Sequence, residues 1–428
     1  MLLLGIFLLL FTAFVLQYGF SAYTWAAFYG DDARIDIVTD REGERLLIFA
    51  KEKTYSEDPV LRSATVHLLG DRDGNVQSAI LSSYRGKGRS YSLLNGFYSY
   101  GHSRTRARLT LSAVLQKAAR SALGDKRGTI AVMNYRTGEI LCAVTSPTFD
   151  PDNKEELVDS MYVNRFTGGL YTAGSIYKLV TLAVALEEIP EIEKRTFSCT
   201  GELYFGTDKV TCAKAHGKQT LQEAFTNSCN CTFATLAAEL GEDKMAAYAE
   251  KFGLTKKMTF DGITAAAGRY DAKLSLPWSG AGQGDTKINP CSFLTFVSAV
   301  ARDGQGINPY LMHTVRDGFQ TLYRAKRTER ERILSLKTTE ILHEYLRNNV
   351  AEKYGDTYFS GLTVCAKTGT AEVGTGKPNA LLCGFAIDEN CPIAFLIIVE
   401  NAGSGSSVCL PIAASIFGCI VDSCGAAM

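Results

Sequence analysis

One serine and one lysine interrupt the nearly apolar stretch YTAGSIYKLV, residues 171–180. The apolar run that follows predicts a buried helix beginning near Gly174, so that Ser175 and Lys178 project from the same face. A serine becomes a nucleophile when a base accepts its proton, and a lysine buried among apolar side chains has the lowered pKa that this role requires. The structural alternative is that Ser175 caps the helix while Lys178 extends to solvent.

A second polar pair lies in TNSCNCTF, at a predicted turn between two helices. The hydroxyl of Ser228 could pass a proton between a nucleophile, its base and a leaving group. The amide of Asn230 could hold a substrate carbonyl and also contact a lysine. Alternatively, both residues simply form the turn, which is a common use of serine and asparagine.

A third group lies at the end of a predicted strand, in VCAKTGTAE, residues 364–372. Lys367, Thr368 and Thr370 provide a cation and two hydroxyls, which suit the binding of a ligand carboxylate. Gly369 leaves room for another stretch of backbone to approach the strand. The alternative is an edge strand that carries a solvated lysine.

The elements around these motifs predict an α+β fold: an antiparallel sheet covered by helices, with an inserted all-helical subdomain. Residues 128–146 and 380–401 each alternate in the way that predicts a β-hairpin. Helical periodicity dominates the chain between the two hairpins, and the stretch PIAASIFGCIV closes the pattern with a further helix.

The N-terminus has a different composition, because the first charged side chain is that of Asp31. We expect residues 1–25 to form one transmembrane helix, an uncleaved anchor, since an apolar run of this length can cross a bilayer. A cleaved signal peptide is the alternative, but neither a basic n-region nor a clear cleavage site is present. We expect residues 26–107 to form a small N-terminal module and residues 108–428 to form the main domain.

The charge balance and the cysteines limit the possible ligands. Basic and acidic residues number 45 each, and no basic stripe indicates a nucleic-acid partner. Cys199 and Cys212 flank a predicted two-strand turn and are either a disulfide or two free thiols. Cys229 and Cys231 have only His216 near them in sequence, which is too few ligands for structural zinc. We therefore expect no metal site and no cofactor, with the other cysteines buried as small hydrophobic residues.

The motifs S-x-x-K, S-x-N and K-T-G occur once each and in this order, a set that penicillin-binding proteins share with class A β-lactamases. About residues 108–428 resemble the penicillin-binding protein transpeptidase domain of the monofunctional class B type, also in TGEILCAVTSPTFDPD, GAGQGD and KTGTAE. At Thr172 and Ala173 the family often has two prolines, and we expect this difference to loosen the turn before the nucleophile.

The resemblance implies that Ser175 attacks the D-Ala–D-Ala carbonyl of a peptidoglycan stem peptide, with Lys178 as the base. The backbone amides of Ser175 and Thr370 would form the oxyanion hole. Ser228 would relay a proton to the departing D-alanine, and Asn230 would orient the donor peptide.

The resemblance also assigns the terminal carboxylate of the donor to Lys367, Thr368 and Thr370, beside Gly369. β-Lactams would then acylate Ser175 as substrate mimics. The implied location is the cell membrane, with a single span and the catalytic domain outside the cytoplasm. A membrane glycosyltransferase of the shape, elongation, division and sporulation family is the implied partner. The alternative activities are a D,D-carboxypeptidase, a serine β-lactamase or β-lactam sensor, and a non-enzymatic scaffold.

Overall fold

The computed structural model describes residues 2–29, 35–49, 53–84, 91–92, 97–98, 105–153, 158–273, 275–318, 320–374 and 376–425. The α-helices of these residues are α1 Leu2–Tyr29, α2 Pro59–Leu69, α3 Ala79–Tyr84, α4 Ala113–Leu123, α5 Arg165–Gly168, α6 Lys178–Glu188, α7 Leu221–Thr226, α8 Asn230–Leu240, α9 Glu242–Lys251, α10 Leu276–Gly280, α11 Pro290–Ala301, α12 Leu336–Asn349 and α13 Gly405–Gly425.

The strands are β1 Ile37–Thr39, β2 Arg45–Phe49, β3 Lys53–Tyr55, β4 Tyr91–Ser92, β5 Phe97–Tyr98, β6 Thr105–Leu109, β7 Gly128–Asn134, β8 Ile140–Ser146, β9 Tyr171–Thr172, β10 Thr196–Cys199, β11 Glu202–Phe205, β12 Asp208–Thr211, β13 Gly217–Thr220, β14 Met258–Phe260, β15 Ile263–Ala265, β16 Lys287–Ile288, β17 Gln305–Ile307, β18 Met312–Asp317, β19 Gln320–Arg324, β20 Glu329–Arg332, β21 Val364–Ala371, β22 Asn379–Ala386 and β23 Ile393–Val399.

The core of the main domain is an antiparallel sheet in the strand order β21-β22-β23-β7-β8. Every residue of β22 and β23 is buried, because helices cover both faces of the sheet. Side chains alternate along each strand, so that Ile130 and Val132 pack with α4 and α13 on one face while Ala131 and Met133 face α11 on the other. The predicted α+β class and both predicted hairpins are confirmed.

The insertion between β8 and β21 contains α5 to α12 and also short strand pairs: β9–β16, β10–β13, β11–β12, β14–β15 and β17–β20. It is therefore mainly helical where we expected an all-helical subdomain. The pair β11–β12 confirms the predicted two-strand turn between Cys199 and Cys212. All ten of these strands have two to four residues, which is generally too short for period-two alternation to stand out against the helical pattern.

A second sheet, in the order β19-β18-β6-β1-β2-β3, joins the N-terminal part of the chain to the main domain. Strand β6 spans the predicted boundary between residues 107 and 108, and it pairs with β1 on one side and with β18 on the other. The predicted module and the main domain thus share one sheet. The division of the chain into two domains, 26–107 and 108–428, stays a prediction. Parts of the module lie outside the described residues, namely 30–34, 50–52, 85–90, 93–96 and 99–104.

Residues 2–25 of the predicted anchor, 1–25, lie within the longer helix α1, whose apolar side chains between Leu3 and Leu16 are exposed. Among the described residues, however, the helix that is long and apolar enough to cross a membrane is Gly405–Cys424. The apolar part of α1 that is described with its side chains, Leu3–Gly19, is shorter. The former packs on the central sheet through buried side chains such as Phe417, as a core helix does. A membrane anchor at the N-terminus therefore stays a prediction.

The disulfide of the structure joins Cys391 to Cys424 and links the β22–β23 turn to the end of α13. This bond corrects the expectation that these two cysteines are merely buried hydrophobic residues. Cys199 and Cys212 are not bonded to each other; both are free thiols. Cys199 ends β10, which pairs with β13, whereas Cys212 follows β12, which pairs with β11, so the two thiols belong to separate strand pairs.

Candidate active site

Ser175 lies at the start of its predicted helix, in a 3₁₀ turn over Gly174–Tyr177 that continues directly into α6. Gly174 has φ +51°, and a side-chain carbon placed there would lie 2.6 Å from the Thr370 carbonyl oxygen. The turn is therefore tightly packed against β21, and only glycine combines this backbone angle with this contact.

The turn before the nucleophile is held from the other side as well. Thr172 pairs with Lys287 across β9 and β16, and the Lys287 ammonium donates to the Thr172 hydroxyl at 2.6 Å. The Gly174 amide donates to the Gly282 carbonyl at 2.8 Å. The expected loosening at Thr172 and Ala173 is therefore offset by contacts that need no proline, and Ala173 itself is fully buried.

Lys178 is fully buried, which excludes the alternative of a solvated side chain. Its Nζ lies 2.9 Å from the Ser175 Oγ and 2.7 Å from the Asn230 Oδ1. It also contacts the Ser228 carbonyl oxygen at 2.8 Å. Among the described residues, the hydrogen-bond partners of the Lys178 amine are Ser175, Ser228 and Asn230, and none of them is a carboxylate. Burial, and then the nearby positive charge of Lys367, holds the pKa of Lys178 well below its usual value.

Ser228 lies between the two lysines of the site. Its Oγ is 3.1 Å from Lys178 Nζ and 3.2 Å from Lys367 Nζ. The residue has φ +54°, so the chain turns sharply between α7 and α8. Asn230 begins α8 and donates from Nδ2 to the Thr211 carbonyl at 2.7 Å, which fixes its Oδ1 toward Lys178. Both residues thus form the turn and also contact the base.

Lys367 lies on β21, the edge strand of the central sheet, but only 1% of it is exposed. Burial lowers its pKa to about 8. A solvated lysine on an edge strand is therefore excluded. Gly369 confirms the expected close approach of backbone, because a side-chain carbon there would lie 3.0 Å from Ile176 Cγ2 and 3.2 Å from the Ile176 amide nitrogen.

Tyr354 contacts the K-T-G motif and was not found by sequence reasoning. Its hydroxyl oxygen accepts from the Thr368 amide at 3.0 Å and lies 3.0 Å from the Thr368 Oγ1. It ends a π-helical segment, Val350–Tyr354, that follows α12. Nothing in the local sequence distinguishes this tyrosine from the 19 others, since its role depends on a fold contact.

The predicted site residues meet at an open cleft with a volume of about 1150 Å³. Its wall includes Ser175, Ser228, Asn230, Thr368, Gly369 and Thr370. Lys178 and Lys367 lie beneath this wall and reach it through their amino groups. The Thr370 hydroxyl accepts from the Gly405 amide at 3.2 Å, which ties β21 to the start of α13.

An activated serine, two buried lysines and a sheet edge beside them define the class of serine enzymes that share the S-x-x-K, S-x-N and K-T-G motifs. A family model described as the penicillin binding protein transpeptidase domain matches residues 128–418. The chain belongs to this family.

Two curated relatives illustrate the similarity. The peptidoglycan D,D-transpeptidase PbpA of Mycolicibacterium smegmatis is 27% identical over 348 residues, which cover 71% of this chain and 70% of that protein. Stage V sporulation protein D of Bacillus subtilis is 30% identical over 313 residues, which cover 68% of this chain and 48% of that protein.

Solved structures agree with this assignment. The D,D-transpeptidase domain of a peptidoglycan glycosyltransferase from Eggerthella lenta has a TM-score of 0.79 at 25% identity and covers 92% of this chain and 99% of that one. Penicillin-binding protein A from M. tuberculosis, solved as a penicillin G acyl-enzyme complex, has a TM-score of 0.77 at 21% identity and covers 92% and 100%. The second similarity concerns the fold.

Proposed function

We propose that the protein is a peptidoglycan D,D-transpeptidase that cross-links stem peptides through an acyl-enzyme at Ser175. The observation that carries this proposal is the 2.9 Å contact between the Ser175 Oγ and the Nζ of the buried Lys178. A lysine whose pKa is depressed by burial has a neutral fraction that can accept the serine proton. The relatives named as D,D-transpeptidases support the reaction type.

Acylation begins when the Ser175 Oγ attacks the carbonyl carbon between the two terminal D-alanines and its proton passes to Lys178. The backbone amides of Ser175 and Thr370 stabilise the negative oxygen of the tetrahedral intermediate. The C–N bond then breaks, and the amine of the departing D-alanine receives the proton through the Ser228 hydroxyl. Ser228 suits this relay because its Oγ contacts the amino groups of both Lys178 and Lys367.

The carboxylate of the terminal D-alanine binds at the K-T-G motif. Lys367 supplies the positive charge, and the hydroxyls of Thr368 and Thr370 supply directional hydrogen bonds. Among the described residues Lys367 has no acidic partner, so a substrate carboxylate is the first anion to reach this buried amine. Asn230 holds the donor peptide, and an amine of a neighbouring stem peptide then attacks the acyl-enzyme and completes the cross-link.

β-Lactams carry a carboxylate like that of the terminal D-alanine, and their strained ring amide takes the place of the scissile peptide bond. We expect them to acylate Ser175 without rapid release. Intact-mass spectrometry with penicillin tests the proposal: the wild-type protein should gain one penicillin mass, and Ser175→Ala should gain none. Ser415→Ala, at an exposed serine of α13, is the matched control and should react like the wild type. An adduct on Ser175→Ala, or none on the wild type, contradicts the proposal.

The alternatives differ in what resolves the acyl-enzyme. A D,D-carboxypeptidase uses water in place of the acceptor amine, and product analysis with a stem peptide and an added amine separates the two reactions. Rapid turnover of a chromogenic cephalosporin would identify a β-lactamase, and a stable adduct without any product would fit a sensor. The absence of any penicillin adduct would leave a non-enzymatic scaffold.

We also propose that residues 1–25 anchor the protein in the cell membrane by a single span, with the catalytic domain outside the cytoplasm. The exposed apolar side chains of α1 and the lack of charge before Asp31 support this location. A membrane glycosyltransferase of the shape, elongation, division and sporulation family is the proposed partner. Protease accessibility in spheroplasts tests the orientation, and co-purification in detergent tests the partner.

A further inference from the structure

A cluster of thiols and one imidazole includes Cys229, the central residue of the S-x-N motif. The ligand atoms of Cys199, Cys212, His216 and Cys229 all lie within 4.8 Å of one another. From the sequence we expected no metal site, because only His216 lies near Cys229 and Cys231 along the chain. That expectation is wrong about the number of nearby ligands, because the fold brings Cys199 and Cys212 beside His216 and Cys229.

Short backbone elements fix the four residues. Cys199 ends β10 opposite Gly217, and the His216 amide donates to the Cys199 carbonyl at 3.1 Å. The Cys212 amide donates to the Gly201 carbonyl at 2.8 Å, which places its thiol at the end of the β11–β12 pair. Cys229 is fully buried in the turn before α8.

Two of the spacings between these ligand atoms match those of a tetrahedral zinc site. With Zn–S bonds of about 2.3 Å and a Zn–N bond of about 2.0 Å, two thiolates lie about 3.8 Å apart, and a thiolate and an imidazole nitrogen lie about 3.5 Å apart. The Cys212 and Cys229 sulfurs are 3.8 Å apart. The Cys199 sulfur and the His216 Nδ1 are 3.4 Å apart. A disulfide would instead require about 2.05 Å between two sulfurs.

We propose that Cys199, Cys212, His216 and Cys229 bind one zinc ion. Three thiolates and one imidazole form a ligand set that prefers zinc among the common divalent metals of cells. Cys212 and His216 also line the active-site cleft, so an ion has a path to the cluster. Binding releases the three thiol protons and leaves a closed, four-coordinate structural site.

The ion binds Cys229, the central residue of the S-x-N motif, whose neighbours in sequence are the active-site residues Ser228 and Asn230. It ties Cys229 to Cys212, and Asn230 donates to Thr211, the neighbour of Cys212, at 2.7 Å. The ion and this hydrogen bond together hold the β11–β12 pair against the turn that carries Ser228. The zinc therefore positions Ser228 and Asn230 without contacting the reacting atoms.

Metal analysis of the full chain, purified in detergent, tests the site. We expect about one zinc ion per chain in the wild type and less than about a tenth of an ion in the double variant Cys199→Ser/His216→Ala. Cys419→Ser, at a partly buried thiol of α13 outside the cluster, is the control and should keep its zinc. A metal-free wild type, whether with free thiols or with a disulfide at Cys212 in the intact mass, overturns the proposal.

Cobalt replacement tests the ligand set, because Cys231 lies close to it. The Cys231 sulfur is 3.5 Å from the Cys212 sulfur. After chelation and addition of Co²⁺, we expect the absorption bands of a tetrahedral site with three thiolates, altered by Cys229→Ser and unaltered by Cys231→Ser. The reverse result overturns the assignment of Cys229.

The positioning role rests on the proposed function and has its own readout. Removal of zinc from the wild type should slow acylation by penicillin at least about tenfold, and added zinc should restore it. Unchanged acylation overturns the positioning role. If no form of the protein is acylated, the proposed function fails, and the zinc content still decides the metal site.

Discussion

Tyr354 holds Thr368 at two points, with its hydroxyl accepting from the Thr368 amide and contacting the Thr368 Oγ1, both at 3.0 Å. The amide would otherwise be an unused donor on the outer side of the edge strand β21. The contact therefore fixes Thr368, the middle residue of the K-T-G motif, from the side of β21 that is not paired with β22. Thr368 is then oriented by a side chain that does not itself line the cleft.

Tyr354→Phe keeps the ring and removes both hydrogen bonds. We expect the second-order rate constant for acylation by a fluorescent penicillin to fall about five- to thirtyfold, because one or two buried hydrogen bonds are worth about 1–2 kcal/mol. Stopped-flow measurements should assign the loss mainly to the binding of the β-lactam carboxylate. Tyr358→Phe, in the short 3₁₀ helix Asp356–Phe359, is the control; equal rates for the two variants would show that Tyr354 has no positioning role.

The two lysines predict a bell-shaped dependence of acylation on pH. Lys178 must be neutral to accept a proton, so the rate rises as pH increases toward its lowered pKa. Lys367 must be charged to bind a carboxylate, so the rate falls as pH passes about 8. Second-order acylation rates between about pH 6 and pH 10 report these values for the free enzyme. In Lys367→Arg, the falling limb should disappear from this range because arginine stays protonated; a falling limb that persists near pH 8 would assign it to another group.

The buried amine of Lys367 should lower the stability of the folded protein. Its pKa falls from 10.5 to about 8 on folding, and a shift of this size costs on the order of 3 kcal/mol below pH 8. Because the unfolded chain binds more protons between about pH 8 and pH 10.5, this cost fades as the pH rises through that window.

Lys367→Met removes the charge and should raise the midpoint of thermal unfolding at pH 7 by a few degrees while abolishing acylation. Differential scanning calorimetry measures the midpoint, and Lys367→Arg, which keeps a buried cation, should show no such gain. A lower midpoint for Lys367→Met would mean that its hydrogen bonds outweigh the cost of burying the amine.

Gly174→Ala should disrupt the nucleophile turn. The substitution forces an alanine to φ +51° and places its Cβ 2.6 Å from the Thr370 carbonyl oxygen, so β21 and Ser175 must move apart. We expect acylation to fall at least about a hundredfold, since small displacements of a nucleophile are costly. Gly168→Ala is the matched control, because a Cβ there has no neighbour within 4 Å. Normal acylation of Gly174→Ala would contradict the tight packing.

The sequence predicted the parts of the site that lie in short contiguous motifs. Ser175 and Lys178 share one helix start, and the apolar run after them predicted the burial that lowers the pKa of Lys178. Contacts between distant segments could not be predicted in this way. Tyr354 reaches Thr368 through a π-helical segment, and the Cys391–Cys424 disulfide joins a strand turn to a helix end. Hydrophobic periodicity carries no information about either pair.

The same limit applies to strand pairing across the predicted module boundary. Strand β6 spans the predicted boundary between residues 107 and 108, and its pairing depends on register with β18, about 200 residues later in the chain. Apart from β11–β12, which forms the predicted two-strand turn between Cys199 and Cys212, the short strand pairs of the insertion could not be predicted, since strands this short are outweighed by the helices around them.

Strand β6 has a consequence for how the protein unfolds. Because it is hydrogen-bonded to β1 on one side and to β18 on the other, it cannot leave the sheet without exposing the edges of both neighbours. The N-terminal strands and the catalytic part of the chain should therefore lose their structure cooperatively, in one calorimetric transition. For the same reason, a protein shortened to begin at residue 108 would lose most of this central strand, leave β18 as an open edge and be prone to aggregation.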